Sequence, residues 1–439
     1  MIQHSKLKLM SALFLFGQIG YVFSSDPAPL TSALGELIRT QPTSRLQLKF
    51  PYTQNPLNSA YVNTGLIGSG TVTASSNFAV ISSGVTASSS AVMSSRYLLN
   101  YQAGQGSACT FTAIFTTPGI ATSTQIIGMG NFGSTVVPPT GSSSHFGDIQ
   151  DGFFFGYNGT SFGVFQYTDK VKTFVASTAW NVDHMDGTGP SGMTLNTADG
   201  NTYKIEFCWL GFGIINFYIA TPGSTGDPTI DTFQLVHVIQ YPNANTVTSV
   251  LNPSLRLFVG VNNGSTTSNI TIQTPCMNGF TEGKVNTAID VRNSIYTTAG
   301  TAVSNFAYNT SLSIYNKWTF GNPSGTIVNE TMVYVDKLSI LVSASVSTVW
   351  TLYLNPTLGA TLTFNDVSTS TSVVQYSITQ TSVTSGIALA SFYVDSNRAQ
   401  IIDLTDYEIV LAPGDELVVA ANANGAVTVY TALSWHERF

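Results

Sequence analysis

The sequence predicts an all-β chain: two antiparallel β-sandwich domains behind a short N-terminal helical and apolar arm. Three observations predict this. Apolar and polar residues alternate in many short runs, the period of half-buried strands. Turn signals such as Asn158-Gly159, Pro413-Gly414 and Asn424-Gly425 punctuate those runs. No helical pattern comes between them, which argues against an enzyme fold of alternating strands and helices. Composition agrees. Charged residues make up 9% of the 439, against roughly 25% in ordinary soluble domains. Hydrophobic residues make up 43% and aromatics 11%, enough to bury a large core. The Ser, Thr, Asn and Gly that remain suit strands and turns.

The N-terminal segment, residues 1–25, places Lys6 and Lys8 before the apolar run Leu9 to Phe23. Two readings stay open. It is a secretory signal cut near Val22-Phe-Ser24, or an apolar arm buried against a partner chain. The run is too short for a stable membrane span, which takes about 20 residues. Residues 26–95 read as an N-terminal arm with edge strands. They hold one helix, Leu30–Thr40, with Leu30, Leu34, Leu37 and Ile38 on a stripe, then a strand at Arg45–Phe50 and alternation through Thr71–Ser82.

Residues 96–290 read as the first sandwich. Strands are expected at 110–116, 122–128, 152–157, 160–167 and 171–176. After a polar loop, Trp180 to Asp199, more follow at 203–210, 214–220, 233–241, 255–261 and 269–273. Its centre is the run Asp151 to Phe165. Asn-Gly there predicts a two-residue hairpin loop. That register pairs Tyr157 with Thr160, Phe155 with Phe162 and Phe153 with Val164 on the core face, and sets Phe154 opposite Gly163. A softer stretch, Cys276–Thr301, leads to a second sandwich at 300–439. Its strands are expected at 311–319, 331–354, 372–379, 387–394, 407–411, 417–421 and 426–433.

Net charge is −7 with 16 Lys plus Arg and no basic run. A groove that tracks phosphates needs clustered cations, so nucleic acid is not an expected partner. Cys109, Cys208 and Cys276 are too sparse for a disulfide framework; one bridge among them stays open. Gly128-Met-Gly130-Asn-Phe-Gly133 fits a dinucleotide fingerprint but precedes Pro138-Pro139 rather than a helix. Gly159-Thr-Ser161-Phe-Gly163 fits a nucleophile elbow but starts a hairpin arm. Glycosidase chemistry needs two carboxylates about 5–10 Å apart; Asp183 with Glu206 is one such pairing, and nothing in the spacing singles it out. No catalytic set stands out, so no enzyme activity is expected. His237 reads as a structural histidine.

The stretch richest in candidate ligands is Trp180-Asn-Val-Asp183-His184-Met-Asp186-Gly187. Trp180, Asp183, His184 and Asp186 are candidate ligand-binding residues, since an aromatic beside loop carboxylates suits a sugar. Asp148, Asp151, Asp183 and Asp186 are candidate metal ligands, with Ca²⁺ as the ion that loop oxygens favour. A solvated loop in which Asp caps turns is the plainer reading. If the chain is secreted, Asn158, Asn263, Asn269, Asn309 and Asn329 are glycosylation acceptors.

The runs Asp151–Val164, Trp180–Gly192, Tyr203–Gly213, Val236–Asn243 and Ile402–Asp415 carry a resemblance. Over residues 35–439 the chain resembles virion structural proteins of tailed phages and large DNA viruses. Its first sandwich is similar to the concanavalin/laminin-G type, with a jelly-roll-like layout. The resemblance implies a non-enzymatic, oligomeric component of a capsid, tail or fibre, found in the virion. Its partners would be copies of itself, other virion proteins and host-surface glycans. The alternative is a secreted, lectin-like carbohydrate-binding adhesin.

Overall fold

The alternating runs fold as strands. A computed structural model describes residues 42–50, 61–133, 145–221, 232–283, 289–298, 300–303, 307–322, 325–343 and 345–439. The expected arm at 1–25 and helix at Leu30–Thr40 lie outside these residues. The first part of the described chain holds β1 (Pro42–Lys49), β2 (Val62–Ile67), β3 (Thr71–Ser75), β4 (Phe78–Ser82), β5 (Ser90–Ser95), β6 (Ser107–Phe115), β7 (Thr124–Phe132), β8 (Ile149–Asn158), β9 (Ser161–Thr168) and β10 (Val171–Ala176). It continues with β11 (Asn201–Phe207), β12 (Ile215–Thr221), β13 (Thr232–Ile239), β14 (Arg256–Asn262), β15 (Thr271–Thr274) and β16 (Cys276–Glu282). The second part holds β17 (Val291–Tyr296), β18 (Thr301–Val303), β19 (Asn309–Asn316), β20 (Thr319–Asn322), β21 (Gly325–Val328), β22 (Met332–Val342) and β23 (Thr348–Leu358). The last strands are β24 (Asn365–Asp366), β25 (Val374–Ser377), β26 (Val383–Val394), β27 (Ala399–Asp403), β28 (Val410–Leu411), β29 (Glu416–Ala423) and β30 (Val427–Arg438). Among the described residues no helix is long and apolar enough to cross a membrane.

In the first part a nine-stranded sheet, centred on β6, faces a seven-stranded sheet in the order β10-β9-β8-β7-β14-β5-β2. Phe111, Tyr203 and Phe217 from the first meet Phe153, Phe155 and Phe162 from the second in one core. Phe155 packs edge-on against Phe217, ring centres 5.4 Å apart. The seven-stranded sheet is apolar on its other face too, where Phe154, Phe165, Tyr167 and Phe258 form a second cluster. A sheet buried on both faces reads as a continuous apolar run, which accounts for Phe153-Phe154-Phe155.

The β8–β9 hairpin corrects the predicted register. Asn158 pairs with Ser161, Tyr157 with Phe162 and Phe155 with Val164. The loop is Gly159-Thr160, with Gly159 at φ 61°, so glycine takes the first central turn position. Each partner moves by two residues, which leaves the aromatic and aliphatic side chains on their expected faces and puts Thr160 in the exposed loop. Phe154 lies opposite Phe165, not Gly163. A Cβ on Gly163 would sit 2.8 Å from the Phe174 ring, and one on Gly130 would sit 2.4 Å from Phe154. Rings thus fill the space at glycines, but from neighbouring strands.

The expected domain boundaries also move. Of the expected arm and edge strands, β2 and β3 do end the seven- and nine-stranded sheets, while β4 and β5 lie inside them and β1 pairs β16. All six residues of β5, Ser-Ala-Val-Met-Ser-Ser, are buried. The softer stretch Cys276–Thr301 holds strands of its own: β16 belongs to the first sandwich and β17 to the second.

The second part pairs two six-stranded sheets, β17-β30-β22-β27 and β24-β25-β19-β29-β23-β26, with β18 and β28 completing the first. Trp350, Leu352 and Val419 meet Leu338, Leu433 and Trp435 between them. Glu437 is buried in this part yet satisfied: Ser372 Oγ, Trp435 Nε1 and the Val373 N–H donate to it at 2.6, 2.9 and 2.8 Å. The expected strand 331–354 divides into β22 and β23. Pro42–Phe439 packs as one compact unit.

Candidate functional site

The loop singled out by sequence is built inward. Trp180 is 2% exposed and packs edge-on against Phe155 and Phe162. No face of its ring is left for a ligand, so the expected sugar-stacking role is corrected to a core role. Asp183 is 1% exposed. Its Oδ1 accepts the Met185 N–H and its Oδ2 the Ser191 N–H, both at 2.8 Å. A Cβ on Gly189 would lie 2.1 Å from Asp183 Oδ1, so glycine lets the loop close over this carboxylate. Asp186 is exposed and accepts the Thr188 hydroxyl and N–H, bonds that hold its carboxyl below the usual range, the hydroxyl first. His184 is exposed beside it.

The other two predicted acids lie elsewhere. Asp151 is buried and accepts N–H groups of Leu251, Asn252 and Asp169. Burial raises its pKa, and these bonds pull it back. Asp148 pairs with Lys170 at 3.5 Å. Among the described residues no three His, Cys, Asp or Glu side chains are grouped to hold a metal. The four acids named from the sequence therefore do not converge as a Ca²⁺ site. Glu206 pairs with Lys204 at 3.2 Å while Asp183 is committed to its own loop, so this pair offers no two free carboxylates. Asn263 and Asn329 are buried, and both donate to main-chain carbonyls, which corrects their reading as glycan acceptors. Asn158, Asn269 and Asn309 are partly or fully exposed. The three cysteines are free thiols. His237 accepts the Asn181 N–H, and burial lowers its pKa, which suits a neutral structural ring.

A larger concavity lies between the two sandwiches, a cleft of about 860 Å³, within the usual range of roughly 300–1,000 Å³ for ligand pockets. Residues far apart in sequence line it: Tyr61 and Tyr97 from the first sandwich, Tyr334, Tyr407, Asp336 and His436 from the second. Tyr61 is 61% exposed and Tyr407 50%. The Tyr407 ring is braced edge-on by Phe392, 5.8 Å away. A polar network stands behind these rings. His436 Nδ1 lies 2.8 Å from Asp336 and its Nε2 3.6 Å from Asp290. Arg438 donates to Asp290 at 2.8 Å and lies 4.5 Å over the Tyr334 ring. Tyr334 and His436 stack in parallel, 4.9 Å apart. Burial raises the Tyr334 phenol above its ordinary pKa, and Arg438 pulls it back.

A buried seam joins the sandwiches beside this cleft. Arg96 and Asp415 form an ion pair, with Asp415 fully buried. Asp415 also accepts the Ala412 N–H and the Asn355 amide. Asn131 donates to Glu330 at 2.9 Å. Leu98, Met332 and Ala412 supply the apolar part of the seam.

No protein family's sequence profile matches the chain, and no curated protein is similar to it in sequence. Several solved structures align with about half of the chain. The metal-free carbohydrate recognition domain of Emp46p aligns at 8% identity and TM-score 0.34, covering 54% of this chain and 97% of its own. A legume lectin-like domain from Entamoeba histolytica aligns at 11% and 0.31, covering 55% and 97%. An endo-1,3-beta-glucanase from Streptomyces sioyaensis aligns at 11% and 0.34, covering 59% and 100%. At TM-scores this low the likenesses carry no argument about ligand or reaction.

Proposed function

We propose that this chain is a non-catalytic attachment protein that binds a glycan in the cleft between its two sandwiches. The observation that carries this reading is the pair of solvent-facing rings, Tyr61 and Tyr407, in one cleft with Asp336 and His436. Sugar rings offer C–H faces that lie against aromatic side chains, and hydroxyls that need fixed planar hydrogen-bonding groups. The cleft holds both. Asp336, held by His436, and Glu408 line the cleft beside the rings, and both can accept hydrogen bonds from sugar hydroxyls.

The test is a glycan array followed by calorimetry on the full chain. Tyr61→Ala with Tyr407→Ala should weaken binding at least tenfold and leave the melting temperature unchanged. Binding should survive EDTA, and no reducing ends should appear. Absence of any bound glycan, or full binding by the double variant, overturns the reading. Loss on EDTA would return attention to the loop at 180–187.

A second reading, a structural component of a virus particle, is favoured by the free, uncharged edge strand β26. Mass spectrometry of purified particles tests it; absence of the chain from them rejects it.

A further inference from the structure

We infer that β26 is a self-association edge, at which a second copy of this chain adds its own β26 antiparallel. The strand is terminal in its sheet: it pairs with β23 on one side, and no described strand pairs with the other. Natural edges are blunted by brevity, charge, proline, bulges or cover. β26 has none of the first three. It runs twelve residues, Val-Thr-Ser-Gly-Ile-Ala-Leu-Ala-Ser-Phe-Tyr-Val, without a charge or a proline. Among the described residues no strand covers it, and Tyr393 is 82% exposed. Its bulges lie towards the Val383 end, while Ala390–Val394 pairs in unbroken register with Thr348–Leu352. The chain then turns through residues 395–398 into β27, the terminal strand of the facing sheet, where Ile401 is 73% exposed. Both sheets therefore end in terminal strands joined by one short turn, of which β26 alone carries no charge.

The sequence of the edge selects the occupant. A foreign strand would be chosen by charge or by pockets for alternate side chains, and β26 presents no charge to read. Two β26 strands related by a two-fold axis run antiparallel automatically, so the contact closes on itself. With the axis at Phe392, the regular segment Ala390–Val394 meets its own copy. Ser391 then faces Tyr393 of the second copy, a pair with no like charges opposed. Each strand satisfies the other's free N–H and C=O groups, and the two six-stranded sheets become one continuous sheet.

The experiment is light scattering after size exclusion on the full chain at micromolar concentrations. The wild type should elute with twice the 46.8 kDa mass of one chain. Ser391→Lys with Tyr393→Lys places lysines opposite each other across the axis and should shift the dissociation constant at least tenfold towards monomer. Ser391→Glu with Tyr393→Glu should do the same. Mixing the two variants should restore a dimer, which also shows that both remain folded. A monomeric wild type, a dimer indifferent to the lysines, or a mixture that stays monomeric each overturns the proposal.

Discussion

Replacing Asp183 by asparagine separates a loop built to fold from a loop built to bind. The wild-type carboxylate accepts two N–H groups at 2.8 Å, one per oxygen. Asparagine keeps the shape but turns an NH₂ towards one of those donors. One bond to a charged acceptor is lost and a largely buried N–H is left without a partner, a cost of about 1.5–3 kcal/mol. For a sandwich of this size each kcal/mol moves Tm by roughly 2–4 °C, so a fall of about 3–12 °C is expected. The assay is calorimetric or circular-dichroism melting of wild type and D183N, each with Ca²⁺ and with EDTA. The fall should be the same in both media, because the carboxylate is occupied by main-chain donors. A D183N protein within about 0.5 kcal/mol of wild type would refute the reasoning. So would a Ca²⁺-dependent rise in the wild-type Tm that D183N lacks.

Other expectations follow from the same structure. Asp415→Asn should cost about 3–5 kcal/mol, because it removes the charge that pairs with Arg96 in the buried seam; chemical denaturation measures it. Burial pushes the Glu416 carboxyl up to about 7 from its ordinary 4.5. The folded state then binds more protons than the unfolded state between those values. Its contribution is fully present below pH 4.5 and is lost as pH rises through 7. Glu416→Gln should flatten that part of the stability profile, and an unchanged profile counts against it. Should the protein pass through a secretory pathway, glycopeptide mapping should find Asn263 and Asn329 unmodified, since both are buried.

Much of the sheet structure was legible because alternation is a local signal. The strand expected at 171–176 is β10 to the residue, and the core face of the β8–β9 hairpin survives a shifted register. What failed depended on distant partners. β5 carries three serines in six residues, yet all six are buried because it pairs β14 on one side and β2 on the other. Trp180 and Asp183 carried a ligand-like composition, yet burial decided their roles, and burial is not written in the loop itself. The cleft was invisible for the same reason. His436 has no nearby partner in sequence, and Asp336 and Asp290 come to it from 100 and 146 positions away. Only the aromatic character of Tyr334 and Tyr407 could have drawn attention to that region, and tyrosines are too common in this chain to do so.

The seam explains why such a cleft is stiff enough to recognise anything. Two sandwiches joined only by a flexible chain would pay an ordering cost each time a ligand bridged them. Here the joint is partly ionic and buried. A buried ion pair adds little net stability against an apolar substitute of the same size, but breaking one partner is costly. Sliding one sandwich past the other would separate Arg96 from Asp415 and Asn131 from Glu330 together, leaving charged and polar groups unsatisfied in an apolar setting. An apolar seam of Leu98, Met332 and Ala412 alone would tolerate such a shift, since hydrophobic contact is not directional. The polar pairs therefore set the relative position of Tyr61 and Tyr407 on opposite walls. Arg96→Met with Asp415→Asn, which removes both charges and keeps an acceptor for the Ala412 N–H, should cost less stability than Asp415→Asn alone while weakening glycan binding. Equal affinity in that double variant would show that the cleft's shape does not depend on the ionic joint.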